Sequence, residues 1–214
     1  MNSQLLKEFH KSKNENFTDD LNIRLHRSIK WLERSENEVD DYDAQFLFLW
    51  ISFNAAYAEL FGIENSERTN LQKFFKKLIL VDKDERLHGL LFKEFTGVIR
   101  TLIENKFVFE PFWKAMREQD SSEHWNEQFE NSKNVAMSRL LEHDTAQVLS
   151  IIFDRLYILR NQLVHGGATW NSKVNRQQVK DGANLMNKLV PIVIELIVEH
   201  PEVDWGELIY PVVK

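Results

Sequence analysis

The stretch Val148-Leu-Ser-Ile-Ile152-Phe-Asp-Arg-Leu156-Tyr-Ile-Leu159-Arg160-Asn161-Gln-Leu163-Val-His165-Gly166-Gly167 decides the fold class. Val148, Ile152, Leu156, Leu159 and Leu163 step by four, four, three and four, which lines one face of a helix and stops at a double glycine. Upstream, Leu21, Leu25, Ile29 and Leu32 repeat at the same period after Asp19 and Asp20, residues that suit a helix start. From Asp41 to Phe61 the positions Phe46, Trp50, Phe53, Tyr57 and Leu60 step by three or four. Leu47, Leu49 and Ile51 widen that face, so this helix is expected to be buried on most sides, with Gly62 as its stop. Two amphipathic stretches follow, around Leu71, Phe75 and Leu78 and around Leu87, Leu91, Val98 and Leu102. Residues 105–132 mix Phe107, Phe109, Phe112, Trp113, Trp125 and Phe129 with Pro111 and many charges, which predicts short helices and loops packed on the main body. Helical regularity is expected again from Asn134. After a polar linker, Ala168 to Val174, a last helix is expected from about Asn175 to Glu199, kinked or restarted at Pro191.

No segment alternates with period two between turn signals, and no internal repeat is visible. The expected fold is all-α, a multi-helix bundle. A polar and frayed segment, residues 1–18, precedes one helical domain, residues 19–214, with an insertion at about 63–132. Composition agrees: seven Gly and four Pro in 214 residues leave few chain-breakers, and 43% hydrophobic with 28% charged residues is the balance of a globular chain. The absence of Cys excludes disulfide frameworks, thiolate metal sites and Cys nucleophiles. The net charge of −6 argues against non-specific coating of DNA. The opening MNSQLLKEFHKSKNENF lacks the basic-then-apolar order of a signal peptide. The most apolar stretch, Leu189 to Val198, is short and is interrupted by Pro191 and Glu195. A cytoplasmic protein without a membrane partner is expected.

The chemistry-bearing residues sit at the end of the opening stretch. Asn161 and His165 are four apart and share a helix face, and the long side chain of Arg160 reaches over the same turn. A permanent cation, an amide and a titratable imidazole at one helix end suit phosphodiester cleavage: Arg stabilises charge as it builds on phosphate oxygens, and His moves the proton. Arg and His in a final turn before Gly are also ordinary capping chemistry, and the residues alone leave both roles open.

The pattern Arg160-Asn161-x-x-x-His165 on a late helix of an all-α chain resembles the HEPN superfamily, whose signature is Arg, four to six residues, then His, with a polar residue usual directly after the Arg. The aromatic helix Phe46-Leu-Phe-Leu-Trp50-Ile-Ser-Phe53-Asn54 also looks like the early helix of several prokaryotic HEPN groups. The resemblance covers roughly residues 19–61 and 134–199. It implies a metal-independent endoribonuclease that works as a homodimer, with the Arg–His helices of two protomers facing across a cleft. His165 would transfer protons, Arg160 would stabilise the pentavalent phosphorane, and Asn161 would orient His165 or the phosphate. The products would be a 2′,3′-cyclic phosphate and a 5′-hydroxyl. A toxin or defence role in bacteria, with an antitoxin or regulatory protein as a further partner, is likewise implied by the family alone.

Local charge is compatible with RNA. Between Ile151 and Lys180 the cations Arg155, Arg160, Lys173, Arg176 and Lys180 face the single anion Asp154. Lys173 and Arg176 are therefore candidate phosphate contacts, and Trp170, in the polar loop after the motif, is a candidate base-stacking residue. Glu85-x-x-His88 is half of a bundle di-iron pattern, but no second Glu-x-x-His exists, so no metal and no cofactor are assigned. His10, His26, His124, His143 and His200 carry no partner pattern and are expected at the surface. The competing reading is a non-catalytic helical module for dimerisation or for binding a nucleotide or protein.

Overall fold

Thr18 sets the start of the first long helix: its hydroxyl accepts from Leu21 N at 3.3 Å, and Asp19 and Asp20 occupy the first turn, at the positive end of the helix dipole. The computed structural model describes residues 1–57 and 67–212. Among these, every regular element is helical. The α-helices, in chain order, are α1 (Ser3–Lys13), α2 (Asp19–Glu36), α3 (Tyr42–Tyr57), α4 (Glu67–Val81), α5 (Arg86–Gly89), α6 (Thr96–Glu104), α7 (Glu110–Glu118), α8 (His124–Leu141), α9 (Thr145–Val164) and α10 (Arg176–Glu199), with short 3-10 or π turns at Asn14–Asn16, Leu90–Glu94 and Lys106–Val108. The all-α expectation holds. The helix stop expected at Gly62 lies outside the described residues. No helix among the described residues is long and apolar enough to cross a membrane.

Small residues bring α2 and α3 together. Ser28 Oγ donates to Ser52 O at 2.8 Å and Ser52 Oγ returns the bond to Ser28 O at 2.7 Å, so two buried hydroxyls are satisfied across the contact. One turn away Arg24, 1% exposed, donates to Ala56 O at 2.8 Å and Gly206 O at 2.9 Å, tying the last turn of α3 and the C-terminal tail to α2. On its other faces α3 meets three more helices. Phe53 lies 4.4 Å from Phe153 of α9, ring centre to ring centre, and Phe75 of α4 packs on Phe153 at 5.0 Å. Phe46 reaches α10 where it carries Gly182; a Cβ there would come within 3.1 Å of both Phe46 and Leu156.

Three local expectations change. The first eighteen residues are not frayed. Asn2 caps α1 by accepting from Leu5 N at 3.0 Å, Leu6 is fully buried, and the Ser3 amide and hydroxyl both bond the Glu36 carboxylate. One apolar anchor and two polar ones are enough to dock a short helix whose composition reads as polar. Helix α8 begins at His124, well before Asn134. Its buried positions are only Phe129, Ala136 and Leu140, a stripe too sparse to read as periodic. Helix α10 runs unbroken through Pro191, because Val190, Val193 and Ile194 around it are all buried and their packing outweighs a local cost of about 3 kcal/mol.

The region between α4 and α8 divides. Phe75 and Leu78 of α4 and Leu87, Leu91 and Leu102 beyond it belong to the same core as α9. Residues 105–118 lie over the C-terminal half of α9, where the Phe107 carbonyl accepts from Gln162 Nε2 at 2.6 Å.

His10 also departs from expectation. It is buried, with its Nε2 2.8 Å from Asn22 Oδ1 and its ring stacked on Phe17. Burial pushes this imidazole below its usual range; the Asn22 bond partly opposes that and the neighbouring His26 adds to it. A depressed folded-state value means that the unfolded chain binds the proton more readily. The docking of α1 is therefore fully stabilised above about pH 6.5 and weakens as pH falls below it. Thermal melting of wild type and His10→Gln should show the wild-type midpoint dropping relative to the variant's between pH 7.5 and 5. Parallel curves would refute the assignment.

Candidate active site at the end of α9

Helix α9 is held by its buried stripe, Val148, Ile152, Phe153, Leu156 and Leu159, and by its cap, where Asp144 accepts from Gln147 N at 3.2 Å. That orientation leaves Ile158, Asn161 and His165 along one open groove of about 610 Å³. The helix ends sharply. His165 N donates to Asn161 O at 3.0 Å, Gly166 takes φ +71°, and Ala168 N closes on Gln162 O at 3.0 Å. A Cβ at Gly167 would sit 3.3 Å from Gln162 O, a close approach that a side chain there would have to relieve by a small shift of the turn.

Arg160 is half-buried and donates through Nη1 to Asn161 Oδ1 at 3.0 Å. The Asn161 amide therefore braces the guanidinium, and His165 stands exposed one turn on. Arg160 does not itself line the groove that Asn161 and His165 share.

The loop after the motif is clamped to the start of α3. Asp43, 5% exposed, accepts from Arg176 Nη2 at 2.5 Å and from Asn171 N at 2.9 Å, and Arg176 also donates to Asn171 Oδ1 at 3.1 Å. Arg176, a candidate phosphate contact, is thus the partner of a buried carboxylate, which would cost several kcal/mol if left without one. Trp170 does not fold back into the core. It is 69% exposed, and its Nε1 is pinned to Asp41 Oδ2 at 2.8 Å, so the ring is held by one edge. Burial alone would raise the Asp41 carboxyl. Donation from Ala44 N and from the Trp170 indole, with the Arg176 cation nearby, outweighs it and keeps the group below the ordinary carboxylate range. Lys173 is exposed on the same loop.

The second wall of the groove comes from α7: Glu110, Trp113 and Arg117 face the motif residues. The aromatic richness of residues 105–132 was the available signal, but nothing local in the sequence says that this segment lies across α9. Of the other histidines, His88 bonds Thr145 Oγ1 at 3.0 Å and shares a three-ring cluster with Phe92 and His143, at ring distances of 4.5 and 5.4 Å, the latter two being 4.8 Å apart. Among the described residues no group of three His, Asp or Glu side chains gathers as a metal site would require. Comparison with protein-family models, with curated proteins and with solved structures gives no match for this chain.

If Asp43 is the clamp, Asp43→Ala should speed amide hydrogen exchange in residues 168–175 by about tenfold or more, the loss of bonds to a charged group worth about 1.5–3 kcal/mol. Exchange in the middle of α9 should stay unchanged. Equal acceleration everywhere would make Asp43 a global stability residue instead.

Proposed function

We propose that this chain is a metal-independent endoribonuclease of the HEPN type. The observation that carries the reading is the joint placement of Asn161 and His165 on one open groove, with Arg160 braced beside them through Asn161. In the reaction, an imidazole takes the proton of a ribose 2′-hydroxyl, O2′ attacks phosphorus, the P–O5′ bond breaks, and a second imidazole returns a proton to the leaving 5′-oxygen. Arg160 stabilises the extra charge on the phosphorane oxygens. Asn161 acts on Arg160 rather than on His165. The products are a 2′,3′-cyclic phosphate and a 5′-hydroxyl.

Each chain supplies one His165, so the acid and the base come from two protomers of a homodimer. Tyr157 and Val164, 39% and 47% exposed, lie one turn either side of Arg160 on α9 and support a contact along this helix. Val164→Glu should lower both the dimer fraction in analytical ultracentrifugation and the cleavage rate. Loss of either one alone would separate activity from dimerisation. The same face would serve a non-catalytic dimerising module, and an intact dimer without cleavage would favour that reading.

The direct test is cleavage of a labelled RNA pool in EDTA. His165→Ala should lower the rate by about 10²- to 10⁴-fold and Arg160→Ala by about 10²- to 10³-fold, with cyclic phosphate ends in the residual product. Equal rates in wild type and both variants would overturn the proposal.

A further inference from the structure

The α7 wall of the groove is built, not incidental. Phe107 O accepts two bonds, from Trp113 Nε1 at 2.8 Å and from Gln162 Nε2 at 2.6 Å. One carbonyl thus fixes the indole of α7 relative to the last turn of the motif helix. Phe112 meets Trp113 edge-on at 5.1 Å and Phe107 lies at 6.3 Å, so the ring is braced from its own segment. With its single polar atom spent on the protein, Trp113 can offer the groove only apolar ring surface.

Arg117 stands beside it, paired with Glu110 at 2.6 Å, and both side chains are more than half exposed. An exposed pair of this kind is worth only about 0–1 kcal/mol. A phosphate could therefore take over the guanidinium at small cost, with a stronger bidentate contact in return. Glu110 would then be released to accept from the donor edge of a base. The groove, about 610 Å³, falls within the roughly 300–1,000 Å³ of small-molecule sites. A flat group with an apolar face, a polar edge and an adjoining phosphate matches all three side chains, and that group is a nucleotide.

We infer that Trp113, Arg117 and Glu110 form a nucleotide subsite for single-stranded RNA beside the proposed cleavage centre, with Trp113 stacking on a base, Arg117 holding the neighbouring phosphate and Glu110 accepting from the base edge. The inference rests on the ribonuclease reading. A carboxylate there favours guanine, whose N1–H and N2–H₂ donate together, over uracil, which presents a carbonyl on either side of its single N–H.

The test uses the full chain carrying His165→Ala, which holds cleavage off, and a fluorescein-labelled ten-nucleotide single-stranded RNA read by anisotropy. Adding Trp113→Leu should weaken binding about 5- to 100-fold, and Trp113→Phe should restore most of it, because a stacked base needs an aromatic face rather than apolar volume. Arg117→Gln should weaken binding and reduce the salt dependence by about one phosphate contact. Poly-uridine should bind more weakly than a guanine-containing strand, and Glu110→Gln should narrow that gap. Arg117 is exposed, so its variant reports even if Trp113→Leu fails to fold.

Wild-type cleavage of RNA together with unchanged binding by the folded Trp113→Leu and Arg117→Gln variants would overturn the subsite and leave the ribonuclease reading standing. Neither binding nor cleavage of RNA would remove both. A preference for single-stranded DNA of the same sequence would overturn the RNA assignment.

Discussion

The contact between Phe53 and Phe153, 4.4 Å apart at ring centres, joins the two helices on which everything else is hung. Each ring is 1% exposed, and Phe75 closes the cluster from α4. Fully burying a large apolar side chain stabilises by about 1.5–3 kcal/mol before any geometric preference between rings. The consequence for α9 is rotational. With Phe153 and Leu156 locked inward, Asn161 and His165 have to emerge on the opposite side, at the edge of the groove. The chemistry of the last turn is thus oriented by packing two and three turns earlier.

A second joint fixes what happens after that turn. The carboxylate of Asp43, at the start of α3, holds Arg176 and the backbone of Asn171 and so closes the loop that begins at the double glycine. Helix α3 therefore meets both ends of the site: its aromatic side sets the rotation of α9, and its first turn sets the path of the chain away from it. Trp170, hung from Asp41, is a by-product of the same closure, an exposed ring that is nevertheless held. The third joint is the Phe107 carbonyl, which lays residues 105–118 over the groove. Three short-range contacts, one apolar, one ionic and one between backbone and side chains, assemble a groove from segments far apart in the chain.

The proposed site was legible only in part. Arg160, Asn161 and His165 lie within six residues of one helix, so 3.6-residue geometry alone places them together, and the double glycine marks where the helix must stop. For Arg176 the charge was visible and the partner was not: Asp43 lies 133 residues earlier and is brought to it by the α3–α10 contact. Trp113 and Arg117 show the converse. Their side-chain chemistry was in plain view among the aromatics of residues 105–132, yet their distance from His165 is set by one bond to a carbonyl, and no local pattern encodes that.

By itself the amino-acid sequence determined the all-helical class, the start of α2 at Asp19, the buried stripe and abrupt end of α9, and the Arg–Asn–His turn. All of these depend on periodicity and capping within a few residues. Tertiary structure alone decided that the first eighteen residues dock, that α10 continues without restarting at Pro191, that Arg176 pairs with Asp43, and that α7 walls the groove. Each of these turns on burial or on a partner distant in the chain. Burial and long-range pairing are properties of the assembled core, and they override local preference wherever their free energy exceeds the cost of ordering a polar segment, of holding a proline inside a helix or of fixing a cation in place.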